Sequence, residues 1–106
     1  MQQVLDAIVE PRRRQILEMV RERELAAGEI AGSFSDVSRS AISQHLTVLR
    51  EAELITERRV GTSRRYSARP EGLTDVREFI AGFWSDKLDR LAVAAEAAEK
   101  AKKEQQ

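Results

Sequence analysis

No cysteine occurs in the 106 residues. Disulfides, thiolate metal sites and thiol redox sensing are therefore excluded. One histidine cannot supply a site built from several imidazoles, and no Gly-rich phosphate loop is present. A small enzyme would have almost nothing to work with, so neither catalytic residues nor a cofactor are expected. No apolar run approaches the roughly 20 residues needed to cross a bilayer. The N-terminus lacks the charged start, apolar core and small-residue cleavage pattern of a signal peptide. A soluble cytosolic chain without membrane contact is expected. Net charge is missing too, since 18 basic residues balance 18 acidic ones. The length predicts one domain, residues 1–106, with a modest core.

The charge is unevenly spread. Residues 55–69 hold five arginines against one acid, Glu57, a local balance of +4. A positive patch focuses potential even on a neutral whole. Just before it runs SRSAISQHLTVLREAEL, Ser38 to Leu54. Ile42, Leu46 and Leu49 are spaced four and three apart, which is one face of a helix. Ala41, Val48 and Ala52 are expected to widen that face. Arg39, Ser40, Ser43, Gln44 and Thr47 fall opposite. A solvated face would more often carry Glu and Lys pairs. Short hydroxyls, an amide and a guanidinium suit a face that hydrogen-bonds to another polar surface. Arg and Gln also have bidentate reach to guanine and adenine edges. The plain alternative is a surface helix with unusual polar residues.

Around this stretch the periodicity predicts further elements. Val4 to Val9 forms a short helix. Pro11, in the first turn where its missing N–H costs nothing, opens a second helix to about Arg23, capped by Glu10 and cored by Ile16, Leu17, Met19 and Val20. Arg12, Arg13 and Arg14 oppose its dipole, and one or two of them are expected to pair with acids on neighbouring helices rather than to meet DNA. Leu25 to Phe34 forms a third helix without a good cap. Ser33, Ser35 and Asp36 turn the chain, Val37 anchors the turn, and Ser38 caps the fourth helix. That order is a helix-turn-helix pattern. Ile55–Val60 and Arg64–Ala68, joined through Gly61, Thr62 and Ser63, form a β-hairpin anchored by Ile55 and Tyr66. From Leu73 to about Lys100 the chain is helical again. Leu73, Val76, Phe79, Ile80, Phe83, Trp84, Leu88 and Leu91 make an apolar stripe too large for the small core. An exposed stripe of that size is an association surface.

The run SRSAISQHLTVLREAELI, with EPRRRQILEMV upstream and RRVGTSRRYSA downstream, resembles the ArsR/SmtB family of winged helix-turn-helix transcriptional regulators. The likeness spans roughly residues 4 to 91 in unbroken order. It implies a mainly α fold with a two-stranded β wing, in the order α-α-α-α-β-β-α. It implies that the fourth helix reads the major groove, the wing reaches backbone or minor groove, and the first and last helices make a bacterial homodimer. FWSDKLDRL in the last helix is similar to the metal-independent branch. The cysteines and the Asp and His pairs of metal-sensing members are missing, so no metal is expected. Glu53 stands where the family prefers glycine. A left-handed residue there would be strained, unless the bend is looser.

The reading expects double-stranded operator DNA as partner, met by Ser38, Arg39, Ser40, Ser43, Gln44, His45 and Thr47 and by wing residues Arg58, Arg59, Arg64 and Arg65. His45 serves helix packing or a phosphate hydrogen bond. Val4, Leu5 and Ile8 join the apolar stripe in a homodimer interface, with a dimerisation helix over about 71–100. Trp84 lies in the dimer core or in a pocket for an apolar effector, and a small-molecule effector is left open. The rival reading is a winged-helix protein–protein interaction module without DNA binding.

Overall fold

The computed structural model describes residues 1–104. Its elements are α1 (Gln2–Ile8), α2 (Pro11–Glu22), β1 (Leu25–Ala26), α3 (Ala27–Gly32), α4 (Arg39–Glu51), β2 (Ile55–Val60), β3 (Ser63–Ala68), a 3-10 turn (Pro70–Leu73) and α5 (Thr74–Glu104). The chain divides into two compact units, Met1–Val76 and the rest of the long helix from Arg77.

The core of the first unit is built where the helical period places it. Ile16 and Val20 of α2, Ile30 of α3, and Ile42, Leu46 and Leu49 of α4 are all buried, joined by Leu54, Ile55 and Tyr66. Truncating any of the large aliphatics to Ala would cost about 2–5 kcal/mol. Ala7 is also fully buried and lets α1 lie close to that core. Val4 and Ile8 pack against it, while Leu5 stays exposed. Two of the three α1 residues expected to bind a second subunit are thus partly buried within their own chain.

The arginine run divides: one member finds an acid, as expected of one or two, although that acid lies in a turn and not on a helix. Arg12 does pair with an acid, Asp36 of the turn before α4, at 3.0 Å. Arg13 and Arg14 instead serve the end of α1. Arg13 Nε donates to the Ala7 carbonyl at 2.7 Å and Nη2 to that of Asp6 at 3.1 Å. Arg14 Nη1 donates to the carbonyls of Ile8 (2.6 Å) and Val9 (3.0 Å). Charges that oppose the dipole of α2 satisfy orphan carbonyls at the C-terminus of α1. Glu10 caps α2 as expected, accepting from the Arg13 backbone N–H at 3.1 Å.

The third helix starts two residues later than its apolar pattern suggested. Leu25 and Ala26 are extended and pair with Tyr66 and Arg65. The wing hairpin forms with Ile55↔Ala68 through Val60↔Ser63 in register, and β1 makes it a three-stranded antiparallel sheet in the order β1-β3-β2. A two-residue strand carries no period of its own, and only its tertiary partner defines it. The missing cap of α3 is supplied from inside the helix, where Glu29 accepts the Ala26 backbone N–H at 3.2 Å.

Helix α4 ends in a left-handed turn. The Leu54 N–H bonds the Leu49 carbonyl at 3.0 Å and the Glu53 N–H that of Arg50 at 2.9 Å. This is the Schellman pattern, with Glu53 at φ +60° in the position glycine favours. The bend is therefore not looser. Gly72 packs against it so closely that a Cβ there would lie 2.2 Å from the Glu53 carbonyl oxygen.

Two residues of the expected association stripe lie in the first unit. Leu73 packs on the core and Val76 is buried. The stripe that remains exposed starts at Phe79 and includes Ile80, Phe83, Trp84, Leu88 and Leu91. Among the described residues, no helix is long and apolar enough to cross a membrane.

Candidate nucleic-acid interface

Ser38 opens α4 in extended geometry, its hydroxyl accepting the Ala41 N–H at 3.1 Å. With that oxygen committed to the cap, Ser38 positions the helix. The apolar triad Ile42, Leu46 and Leu49 faces inward, so the opposite face turns to solvent. Ser40, Ser43, Gln44, Thr47 and Val48 line one shallow open concavity on it. Thr47 donates its hydroxyl to the Ser43 carbonyl at 3.0 Å, which leaves its oxygen as an acceptor. Val48 does not widen the buried face as expected. It is 36% exposed and sits among the polar residues. An apolar side chain there is suited to a thymine methyl group. Its place one helical turn beyond Gln44 was the available signal.

His45 belongs elsewhere. Its side chain is 17% exposed, with Nε2 3.9 Å from a Glu10 carboxylate oxygen. Nδ1 lies 3.4 Å from Arg13 Nη1. Of the two roles considered for it, this geometry serves packing of α4 on the start of α2. Burial works against the Glu10 carboxylate, but the Arg13 N–H and the nearby His45 outweigh it and hold Glu10 below its ordinary pKa.

The wing arginines separate by strand face. Arg58 and Arg65 are cross-strand partners on one face, and Arg59 and Arg64 on the other. Arg58 grips Glu24 with both arms, Nε at 3.1 Å and Nη2 at 2.7 Å. The hydrogen bonds from Arg58 hold the Glu24 carboxyl below its ordinary range, with Arg65 and Ser67 adding to the effect. Arg58 is thus an anchor that ties the hairpin to the strand leading into α3, and its charge is largely answered. On the other face Glu57 holds Arg50 of α4 and lies 3.5 Å from Arg64. Arg64 shares a cleft of about 180 Å³ with Gly28, Arg39 and Ser43, so one wing residue does meet the head of α4. Arg39, Arg59 and Arg65 have no acidic partner among the described residues. The buried Nε of Arg65 has no hydrogen-bond partner there either. Of Glu24 and Glu57, which set which arginines are free, the sequence drew attention only to Glu57, as the one acid of the arginine-rich stretch, and assigned neither a partner. Their partners are 34 and 7 residues away, beyond the reach of local spacing.

An exposed helix face of short hydrogen-bonding groups beside Arg39 and Arg64, in a fold whose hairpin also carries the unanswered Arg59 and Arg65, is chemistry for nucleic acid. Residues 10–57 match the sequence profile of the bacterial regulatory protein, arsR family. The HTH-type transcriptional regulator Rv2034 of Mycobacterium tuberculosis is 42% identical over 82 residues, covering 77% of this chain and 76% of that protein. The chain belongs to the ArsR family. It is a DNA-binding transcriptional regulator with a winged helix-turn-helix fold. The transcriptional repressor SdpR of Bacillus subtilis is 36% identical over 83 residues, covering 78% of this chain and 91% of SdpR. A solved structure described as a possible transcriptional regulator for arsenical resistance superposes with a TM-score of 0.69 at 42% identity, covering 88% of this chain and 95% of its own. The present ArsR-family regulator has no cysteine with which to bind arsenic as a thiolate complex.

Proposed function

We propose that the chain acts as a homodimeric repressor of an inverted-repeat operator. The observation that carries this reading is the exposed face of α4, where Ser40, Ser43, Gln44, Thr47 and Val48 stand clear of the core beside Arg39 and Arg64. Arg39 and Gln44 have the reach for base edges, Ser40 and Ser43 for phosphates or bases, and Arg59, Arg64 and Arg65 for the flanking backbone. Two such helices in a dimer would meet successive major grooves about 34–36 Å apart. The exposed stripe from Phe79 to Leu91 supports association of two copies. Repression follows when the bound dimer covers a promoter, and similarity to the transcriptional repressor SdpR favours that sign of regulation.

Selection of bound duplexes from a random pool tests the reading, followed by footprinting on genomic DNA. The expected result is an enriched palindrome whose half-sites lie one helical turn or a multiple apart. Recovery of no preferred sequence, with binding that ignores salt, would remove DNA recognition from the function of this face.

A further inference from the structure

A further cavity, sharing no residue with the α4 concavity or the cleft at Arg64, lies within the first unit. It measures about 160 Å³ and is walled by Leu17 of α2, Leu54 after α4, Ala68 at the end of β3, and Pro70 and Leu73 of the 3-10 turn. Its lining is mostly hydrocarbon, while Glu18, Arg21 and Arg69 stand at its edge. Arg21 is answered by Glu22 at 3.2 Å. Arg69 donates Nη1 to the Glu53 carbonyl at 3.2 Å and has no acidic partner among the described residues. Glu18, at the same edge, has no basic partner among the described residues, so the mouth of this apolar hollow carries one unpaired carboxylate and one unpaired guanidinium, and the Arg69 guanidinium is the group that suits a ligand with a hydrocarbon end and a negative head.

We propose that this cavity binds a small amphipathic carboxylate, its charge on Arg69 and its chain of about six carbons on the leucines, the size that a hollow of about 150 Å³ accepts. Resting on the DNA-binding reading above, we assign this site a regulatory role in which occupancy weakens operator binding. The walls explain the coupling. Leu54 closes the cap of α4, and Ala68 and Arg69 end the central strand of the wing. Their backbones are tied together, with the Arg69 N–H on the Leu54 carbonyl at 2.8 Å. A ligand wedged against Leu17 bears on the joint that sets the recognition helix relative to the hairpin.

Sodium hexanoate added to the ¹⁵N-labelled full chain, followed by NMR, tests the site. Saturable shifts are expected at the amides of Leu54, Ala68, Arg69 and Leu73, and acetate should not saturate them. Arg69→Gln should weaken hexanoate about tenfold or more, while Arg69→Lys retains most of the affinity. Ala68→Leu and Leu17→Phe fill the hollow from opposite walls, and whichever remains folded should lose the saturable shifts. Shifts that never saturate, or an affinity unchanged in Arg69→Gln and in the filled variants, would overturn the site. In a separate arm hexanoate should lower affinity for the selected operator about fivefold in the wild type and not in a filled variant. Full operator affinity with the cavity occupied overturns the regulatory half. The NMR arm contains no DNA, so failure of the cavity and failure of the DNA reading are seen independently.

Discussion

Glu53 sits at φ +60° because the Schellman turn after α4 needs a left-handed residue. An L side chain in that region costs about 1 kcal/mol or more. The turn persists because its surroundings hold it: Leu54 is buried, Arg69 bonds the Glu53 carbonyl, and Gly72 lies against the same oxygen. Glu53→Gly should therefore raise stability to urea by about 1 kcal/mol, less the added freedom of glycine in the unfolded chain. Gly72→Ala should lower it by about 2 kcal/mol or more, because its Cβ meets backbone rather than a movable side chain. A neutral Gly72→Ala would show that the turn yields readily. Placing glycine at residue 53 should soften the Gly72→Ala loss, since both act on one carbonyl and neighbours of that kind do not add.

At the scale of elements, the wing divides its arginines between those answered by an acid and those left without one. Arg58 is answered by Glu24, whereas Arg59 faces solvent without an acid among the described residues. Arg59→Ala should flatten the log–log salt dependence of operator binding by about one unit. Arg58→Ala should change it by less and act mainly through wing placement. Glu24→Gln should steepen the slope by releasing Arg58. An Arg58→Ala effect equal to that of Arg59→Ala would mean that the anchor lets go on DNA. The same pair makes an acid-labile contact. The Glu24 carboxyl titrates below its ordinary 4.5 when folded. Its contribution is therefore present above about that pH and is lost as pH falls through the lower folded value. Glu24→Gln should flatten this part of the acid limb of a urea-stability profile.

These elements also mark what could be read from residue order. The α4 triad, the Ser38 cap and the hairpin were legible because helical period, hydroxyl cap and strand signals all act within a few residues. At Glu53 the family resemblance marked a missing glycine but left a strained left-handed residue and a looser bend both open, and the fold decides for the first. The short β1 strand, the Arg58–Glu24 anchor and the use of Arg13 and Arg14 on α1 were not. Each depends on a partner brought near by folding, and a run of arginines reads the same whether it meets phosphate, carboxylate or a helix end. Val48 and Val76 were misplaced for a related reason. An apolar residue at the margin of a stripe has no local signal for which side it takes.

For the whole molecule the deciding question is what covers the last helix. Phe79 and Phe83 stack edge-to-face at 5.3 Å, and Lys87 lies 5.5 Å from the Trp84 ring centre. Even so, Phe83 is 68% exposed and Leu88 58%. Side chains this open contribute little to the fold of one chain, so changing them separates association from folding. Phe83→Glu with Leu88→Glu should leave helical content and the thermal transition of the Met1–Val76 unit nearly unchanged. Sedimentation should shift the protein from dimer to monomer, because each glutamate would be desolvated against the partner's apolar stripe. Operator affinity should then fall by about a hundredfold, since two linked half-site contacts become two independent ones. Affinity for a single half-site should barely move, because Arg39, Gln44 and the wing are untouched. A wild-type chain that sediments as a monomer at the concentrations where it fills a palindrome would require the two half-sites to be bound independently. The stripe on α5 would then need a different partner.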